Sequence, residues 1–195
     1  MIEVALIRHG PTGWNEEKRL QGRADRPLSE TGRAKVSGWR LPAEFRDHVW
    51  HVSPLVRAAE TARLLGIAGA TEHAIVEMDW GAWEGQTREE LIARYGDEFK
   101  LRTRRGIDLR PHDGESPREV RDRIALWLET VTTRGRHVGA VTHQGVIRAM
   151  LSLATGWEMV GPPPVDMDWS SVHVFRAAPG GQVTIHRLNV SLEPP

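Results

Sequence analysis

An apolar run, Ile2-Glu3-Val4-Ala5-Leu6-Ile7, opens the chain and ends abruptly on Arg8-His9-Gly10. Two similar runs follow. Val49-Trp50-His51-Val52 ends on Ser53-Pro54, and Val138-Gly139-Ala140-Val141 ends on Thr142-His143-Gln144-Gly145. Short, nearly continuous apolar runs predict strands covered on both faces. Between them the period lengthens to that of helices. Ser29 or Thr31 caps a first helix that reaches Trp39 or Leu41 before Pro42. Ala58, Ala59, Ala62 and Leu65 give a second helix a close-packing face, with Gly66 as its stop. Thr87 followed by Glu90 reads as a capping box for a third helix, through Leu91, Ile92 and Tyr95. Ser116-Pro117-Arg118-Glu119 opens a fourth, whose face is Val120, Ile124, Leu128 and Val131. Val146, Ile147, Met150, Leu151 and Leu153 form a buried helix after the His143 strand.

Two segments complete the pattern. Ala74-Ile75-Val76 predicts one more short strand, and Val172–Phe175 with Val183–His186 predicts a hairpin turned by Pro179-Gly180-Gly181. Residues 100–115 hold no stable period and are expected to cross over a pocket. Strands alternating with helices predict a three-layer α/β/α sandwich with a mostly parallel, mixed central sheet. The expectation is one domain over residues 1–195, with a cap-like segment around 78–116. At 195 residues such a chain buries roughly 70% of its extended surface, enough for a core without staples.

Composition narrows the function. Cysteine is absent, which excludes disulfides, thiolate metal sites and cysteine nucleophiles. Lys plus Arg and Asp plus Glu each number 26, a balance that gives no general reason to expect nucleic-acid binding and leaves room for a local positive pocket. No run of 18 apolar residues suits a membrane span and no signal-like segment opens the chain, so a cytoplasmic protein without membrane partners is expected. The eight tryptophans are candidates for core packing, pocket walls or a homodimer surface.

In open α/β sheets, chemistry collects beyond the carboxyl ends of the strands. Arg8, His9, the Ser53–Arg57 stretch and His143 all fall there. A neutral imidazole attacks a phosphoryl group through its lone pair, and the equatorial charge that develops calls for guanidinium donors. His9 is therefore the candidate nucleophile, Arg8 and Arg57 the phosphate clamps, and His143 a ring N–H donor to the phosphoryl oxygens. An alcohol leaving group also needs a proton. Glu84, in the Gly81-Ala82-Trp83-Glu84-Gly85 turn, is the candidate acid, since Trp83 beside it would limit solvent; Asp79 is the weaker alternative.

The ordered set of motifs resembles the histidine phosphatase superfamily, in particular its small phosphoglycerate-mutase-like phosphatases of the broad-specificity or α-ribazole type. The resemblance runs over positions 6–148. Its elements are Arg8-His9-Gly10 continued by Pro11 to Asn15, Arg19 to Leu28, Ser29 to Gly32, and Ser53-Pro54-Leu55-Val56-Arg57-Ala58 with Thr61-Ala62. Gly81 to Gly85, Gly114-Glu115-Ser116 and Val141 to Arg148 complete it. It implies transient phosphorylation of His9 in a pocket of Arg8, Arg57 and His143, with Glu84 as proton donor. Asn15, Gln21 and Gly22 are implied as further phosphate-pocket contacts. Pro11 departs from the acidic residue common after this motif. No metal or other cofactor is implied, and the expected partner is a small phosphorylated metabolite.

Hydrolysis by way of phosphohistidine is thus the expected activity. A phosphoglycerate mutase, using the same residues, is the rival, and a non-catalytic phosphate-binding interaction domain is the alternative of another class. Arg102, Arg104, Arg105 and Arg110 read either as a solvated helix end or as a clamp for a second anionic group. Ser116 reads either as a substrate contact or as the helix cap that its Ser-Pro-Arg-Glu setting already explains. Trp14, Trp80, Trp83 and Trp169 are candidates for pocket walls.

Overall fold

The computed structural model describes residues 1–193. Its centre is a six-stranded sheet in the order β3-β2-β4-β1-β5-β6. The strands are β1 (Ile2–Arg8), β2 (Val49–Val52), β3 (Ala70–Thr71), β4 (Val138–Thr142), β5 (Ser171–Ala177) and β6 (Val183–Ser191). The first four are mutually parallel, while β5 and β6 join antiparallel at one side.

Why these strands are apolar throughout follows from what covers them. Val4 and Leu6 of β1 pack in a core with α6 (Pro117–Thr132) and α7 (Gln144–Thr155). Ala5 and Ile7 point the other way, into a core with α2 (Glu30–Gly38) and α3 (Val56–Leu64). Successive strand residues alternate faces, so a sheet covered on both sides has no polar set. This is the expected α/β/α sandwich. Side chains cap the helices as their sequences predict: Ser29 accepts from Gly32 N–H, while Thr87 and Ser116 form capping boxes with Glu90 and Glu119. Each such cap contributes about 1 kcal/mol.

The structure departs from the sequence pattern in two places. Ala74–Val76 is not a strand: His73–Ile75 forms one 3₁₀ turn, and the edge strand is instead Ala70–Thr71. The Glu72 side chain caps that turn by accepting from Ala74 N–H, and Arg123 donates to the carbonyls of Ala74 and Val76. These carbonyls are therefore satisfied by a side chain instead of a ladder. Residues 97–109 are also more regular than their composition suggests. Gly96, at φ 55°, separates α4 (Arg88–Tyr95) from α5 (Asp97–Thr103), and a 3₁₀ turn covers Gly106–Asp108. Phe99, Ile107 and Leu109 anchor this segment in the interior.

The register decides where the chemistry sits. Arg8 pairs with Thr142, and Val52 with Val141, so β1, β2 and β4 end at nearly one level. His9 N–H donates to Thr142 O at 2.9 Å and Ser53 N–H to Val141 O at 3.0 Å, extending both ladders by a residue. The side chains of His9, Ser53 and His143 emerge together. Among the described residues no helix is long and apolar enough to cross a membrane.

Candidate active site

His9 is buried, 5% exposed, and its Nδ1 lies 2.7 Å from the carbonyl oxygen of Gly10. A carbonyl can only accept, so Nδ1 carries the proton and Nε2 the lone pair. Burial, and after it the cations of Arg8 and Arg57, hold the His9 pKa well below its ordinary 6.5; the bond to Gly10 opposes them. Thr61 ties the strand end to α3. It accepts from Gly10 N–H at 3.0 Å and donates its hydroxyl to Arg57 O at 2.7 Å.

His143 lies against His9, ring centroids 5.1 Å apart and tilted by 56°. Its Nε2 is 2.6 Å from Ser53 Oγ, while its buried Nδ1 has no partner among the described residues. Its pKa is also pushed well below 6.5, by burial first and then by His9, Arg57 and Arg8. If the Ser53 hydroxyl donates to Nε2, the ring proton falls on Nδ1, the nitrogen left free for another acceptor.

Arg57 is fully buried in the first turn of α3. It donates to Ala24 O at 2.9 Å and Gly22 O at 2.7 Å, and its Nε has no partner among the described residues. Burial lowers its pKa, against the pull of Glu77, Asp25 and Glu84. Arg8 is likewise lowered by burial, and its guanidinium lies 5.4 Å from the Trp169 ring centroid. Asn15 Oδ1 accepts from Thr12 N–H and Gln21 Oε1 from the Thr12 hydroxyl.

These groups meet at one cavity of about 260 Å³. Arg8, His9, Asn15, Gln21, Gly22, Arg57 and Arg148 line it, and among the described residues Glu77 is the one carboxylate in its wall. His143 stands behind His9 instead of in the wall. Arg57 is buried and Arg8 and Arg148 half-buried, each with an Nε that lacks a partner among the described residues, an arrangement chemically suited to an anion.

Glu84 is placed differently from the expectation for a proton donor. Its carboxylate accepts from the backbone N–H of Arg23 at 2.6 Å, Ala24 at 2.9 Å and Trp80 at 3.3 Å. It lies directly under Gly22, whose missing Cβ leaves it room, and it does not line the cavity. Trp83, expected to shield it, turns instead into the main core. Glu84 thereby braces the loop whose carbonyls hold Arg57. The cavity's carboxylate is instead Glu77, a residue outside the set that the sequence motifs point to. Its Oε1 accepts from Met78 N–H at 2.9 Å and, at the start of α7, from Gly145 N–H at 3.1 Å. A Cβ on Gly145 would collide with this carboxylate.

The sequence pattern of the histidine phosphatase superfamily (branch 1) matches residues 4–191. The chain belongs to that family. Phosphoserine phosphatase 1 of Hydrogenobacter thermophilus is 32% identical to it over 167 residues, which span 82% of this chain and 79% of that protein. A 2,3-bisphosphoglycerate-dependent phosphoglycerate mutase of Gloeobacter violaceus is 31% identical over 163 residues, 77% of this chain and 74% of that one. Among solved structures, Bacillus stearothermophilus YhfR superposes with a TM-score of 0.81 at 25% identity, covering 100% of this chain and 98% of its own.

Other residues singled out in the sequence have structural partners. Arg102 pairs with Glu98 and Arg110 with Glu119, and none of Arg102, Arg104, Arg105 and Arg110 lines the cavity. Asp79 accepts from Gly81 N–H, bracing the turn, and Ser116 caps α6. Trp80 lines the cavity, whereas Trp14 lies beneath the Arg26 guanidinium, 4.5 Å from ring centroid to Cζ. No cluster of three or more His, Cys, Asp or Glu suited to a metal ion occurs among the described residues.

Buried neutral histidines give this fold an acid limit. His9 and His143 are depressed well below 6.5, and burial lowers the fully enclosed His173 to about 4. In the unfolded chain these rings take up protons near pH 6.5, while the folded protein resists. Their contribution to stability is present above that pH and is lost progressively as pH falls toward the folded values. The guanidinium chloride midpoint is expected to be level from pH 8 to 7 and to drop steadily between pH 6.5 and 4.5. A level midpoint across the lower range would contradict the assignment.

Proposed function

We propose that this protein is a metal-independent phosphomonoester hydrolase working through phosphohistidine at His9. The reading rests on one observation above the rest: a neutral imidazole, its Nδ1 proton committed to Gly10, in a cavity walled by Arg8, Arg57 and Arg148. The Nε2 lone pair attacks phosphorus, and the bond from phosphorus to the ester oxygen breaks with its electrons passing to that oxygen. Arg8 and Arg57 stabilise the charge on the equatorial oxygens, and His143 backs the His9 ring from outside the cavity wall. Glu77 gives its proton to the departing alcohol. Water then attacks phosphorus, Glu77 takes the proton it loses, and the N–P bond breaks to return the lone pair to Nε2. Asn15 and Gln21 shape the turn that carries the cavity wall, and Gly22 lends a carbonyl to Arg57.

The likeness to phosphoglycerate mutases favours a second reading, in which phosphate returns to another hydroxyl of the substrate. A panel of phosphomonoesters, assayed with EDTA present and followed for both phosphate and isomerised product, separates the two. Phosphate release insensitive to the chelator is expected. Isomerised product without phosphate would favour the mutase, and loss of all turnover in EDTA would overturn metal independence.

A further inference from the structure

The space beside His9 does not end at the phosphate cavity. A second cavity of about 370 Å³ adjoins it, and Leu20, Trp80, Gly145 and Arg148 are walls of both. Its volume falls within the range of small-molecule sites. Its accessible apolar walls are the half-buried Leu20, Trp80, Pro117 and Met159, over a floor of Trp83, Leu91, Phe99, Leu109 and Val120, which are buried members of the main hydrophobic core. The floor residues come from the segment over residues 81–109 and from the first turn of α6. Its further cations, Lys18 and Arg88, are exposed residues, with the Arg88 guanidinium lying 5.5 Å from the Phe99 ring centroid. Among the described residues no carboxylate lines this cavity.

The arrangement has a direction. Glu77 is held at Gly145 N–H, Gly145 faces both cavities, and Met78, next in the chain, lines the second. An ester oxygen placed to take a proton from Glu77 therefore has its organic group leading into the apolar cavity. We infer that the alcohol part of the substrate is a bulky apolar or aromatic group seated there, an inference that rests on the phosphomonoesterase reading. A short polar alcohol, such as the glycerate of a phosphoglycerate or the serine of phosphoserine, would either leave this cavity unfilled or set its hydroxyl or ammonium against Leu20, Pro117 and Met159. Neither hydroxyl nor ammonium finds a hydrogen-bond partner on those side chains, and desolvation without a partner is costly. An alkyl or aryl group gains about fourfold in kcat/KM for each methylene it buries.

Straight-chain alkyl phosphates from ethyl to octyl test this, since their leaving alcohols are nearly equal in acidity and only the buried length changes. The expected result is a rise of about threefold to fourfold per methylene, leaving octyl phosphate at least about 100-fold above ethyl phosphate and above 3-phosphoglycerate and phosphoserine. Thr103 also lines this cavity, and Thr103→Trp, which narrows it, should lower the octyl-to-ethyl ratio at least about tenfold. Binding of the matching alkylphosphonates, read by tryptophan fluorescence, should tighten with chain length whether or not any ester is hydrolysed. A level alkyl series with active turnover would overturn the cavity assignment and leave hydrolysis standing. No phosphate release from any ester, with phosphonates still binding by length, would overturn hydrolysis and keep the cavity. Phosphonate binding indifferent to length would overturn the inference in either case.

Discussion

His9→Ala should lower phosphate release by about 10⁴-fold or more and eliminate the acid-labile adduct seen by intact mass after a burst of substrate. An imidazole whose Nδ1 proton is committed to Gly10 and whose pKa lies well below 6.5 is neutral at pH 7, so its Nε2 lone pair needs no base to activate it. Alanine removes that lone pair but leaves the buried guanidinium of Arg57 anchored on Gly22 and Ala24. Inorganic phosphate should accordingly still bind, with affinity changed far less than turnover. The loss of rate then belongs to chemistry and not to a collapsed site. Turnover that survives in His9→Ala would remove the basis for a covalent intermediate.

Glu77→Gln is expected to show the second largest effect, and one that depends on the leaving group. For alkyl phosphates the loss should be about 10²–10⁴-fold, the usual contribution of a positioned acid. For p-nitrophenyl phosphate it should be small, because that oxygen departs without a proton. Glu84→Gln should behave otherwise. A carboxamide offers one acceptor oxygen where the carboxylate now takes three backbone N–H groups, so the Gly22–Ala24 loop loosens and Arg57 loses its fixed partners. The resulting losses should be equal across leaving groups and fall mainly on KM. A leaving-group-dependent loss in Glu84→Gln, with none in Glu77→Gln, would reverse the two assignments.

Much of the architecture was legible in the chain because burial on both faces leaves a one-dimensional trace. The runs at Ile2, Val49 and Val138 end within a residue or two of the observed strands, and Ser29, Thr87 and Ser116 cap their helices. Caps read well from sequence because donor and acceptor lie three residues apart. Ala74–Val76 misled because a side chain 47 to 49 residues away, Arg123, satisfies its carbonyls. Segment 100–115 resisted reading because its order comes from a few buried anchors, Ile107 and Leu109 among them, with no repeating face.

The site divides along the same line. That His9, Ser53 and His143 follow three apolar strands was present in the sequence, since strand ends are set by local pattern and parallel strands align their carboxyl ends. Which carboxylate faces the phosphate cavity was not. Glu77 and Glu84 lie seven residues apart around one loop, and only packing turns the first toward Gly145 at the start of α7 and the second under Gly22. The apolar cavity beyond them was equally unreadable. Its walls come from stretches as far apart as Leu20 and Arg148, brought together by the fold, whereas local pattern encodes only neighbours along the chain.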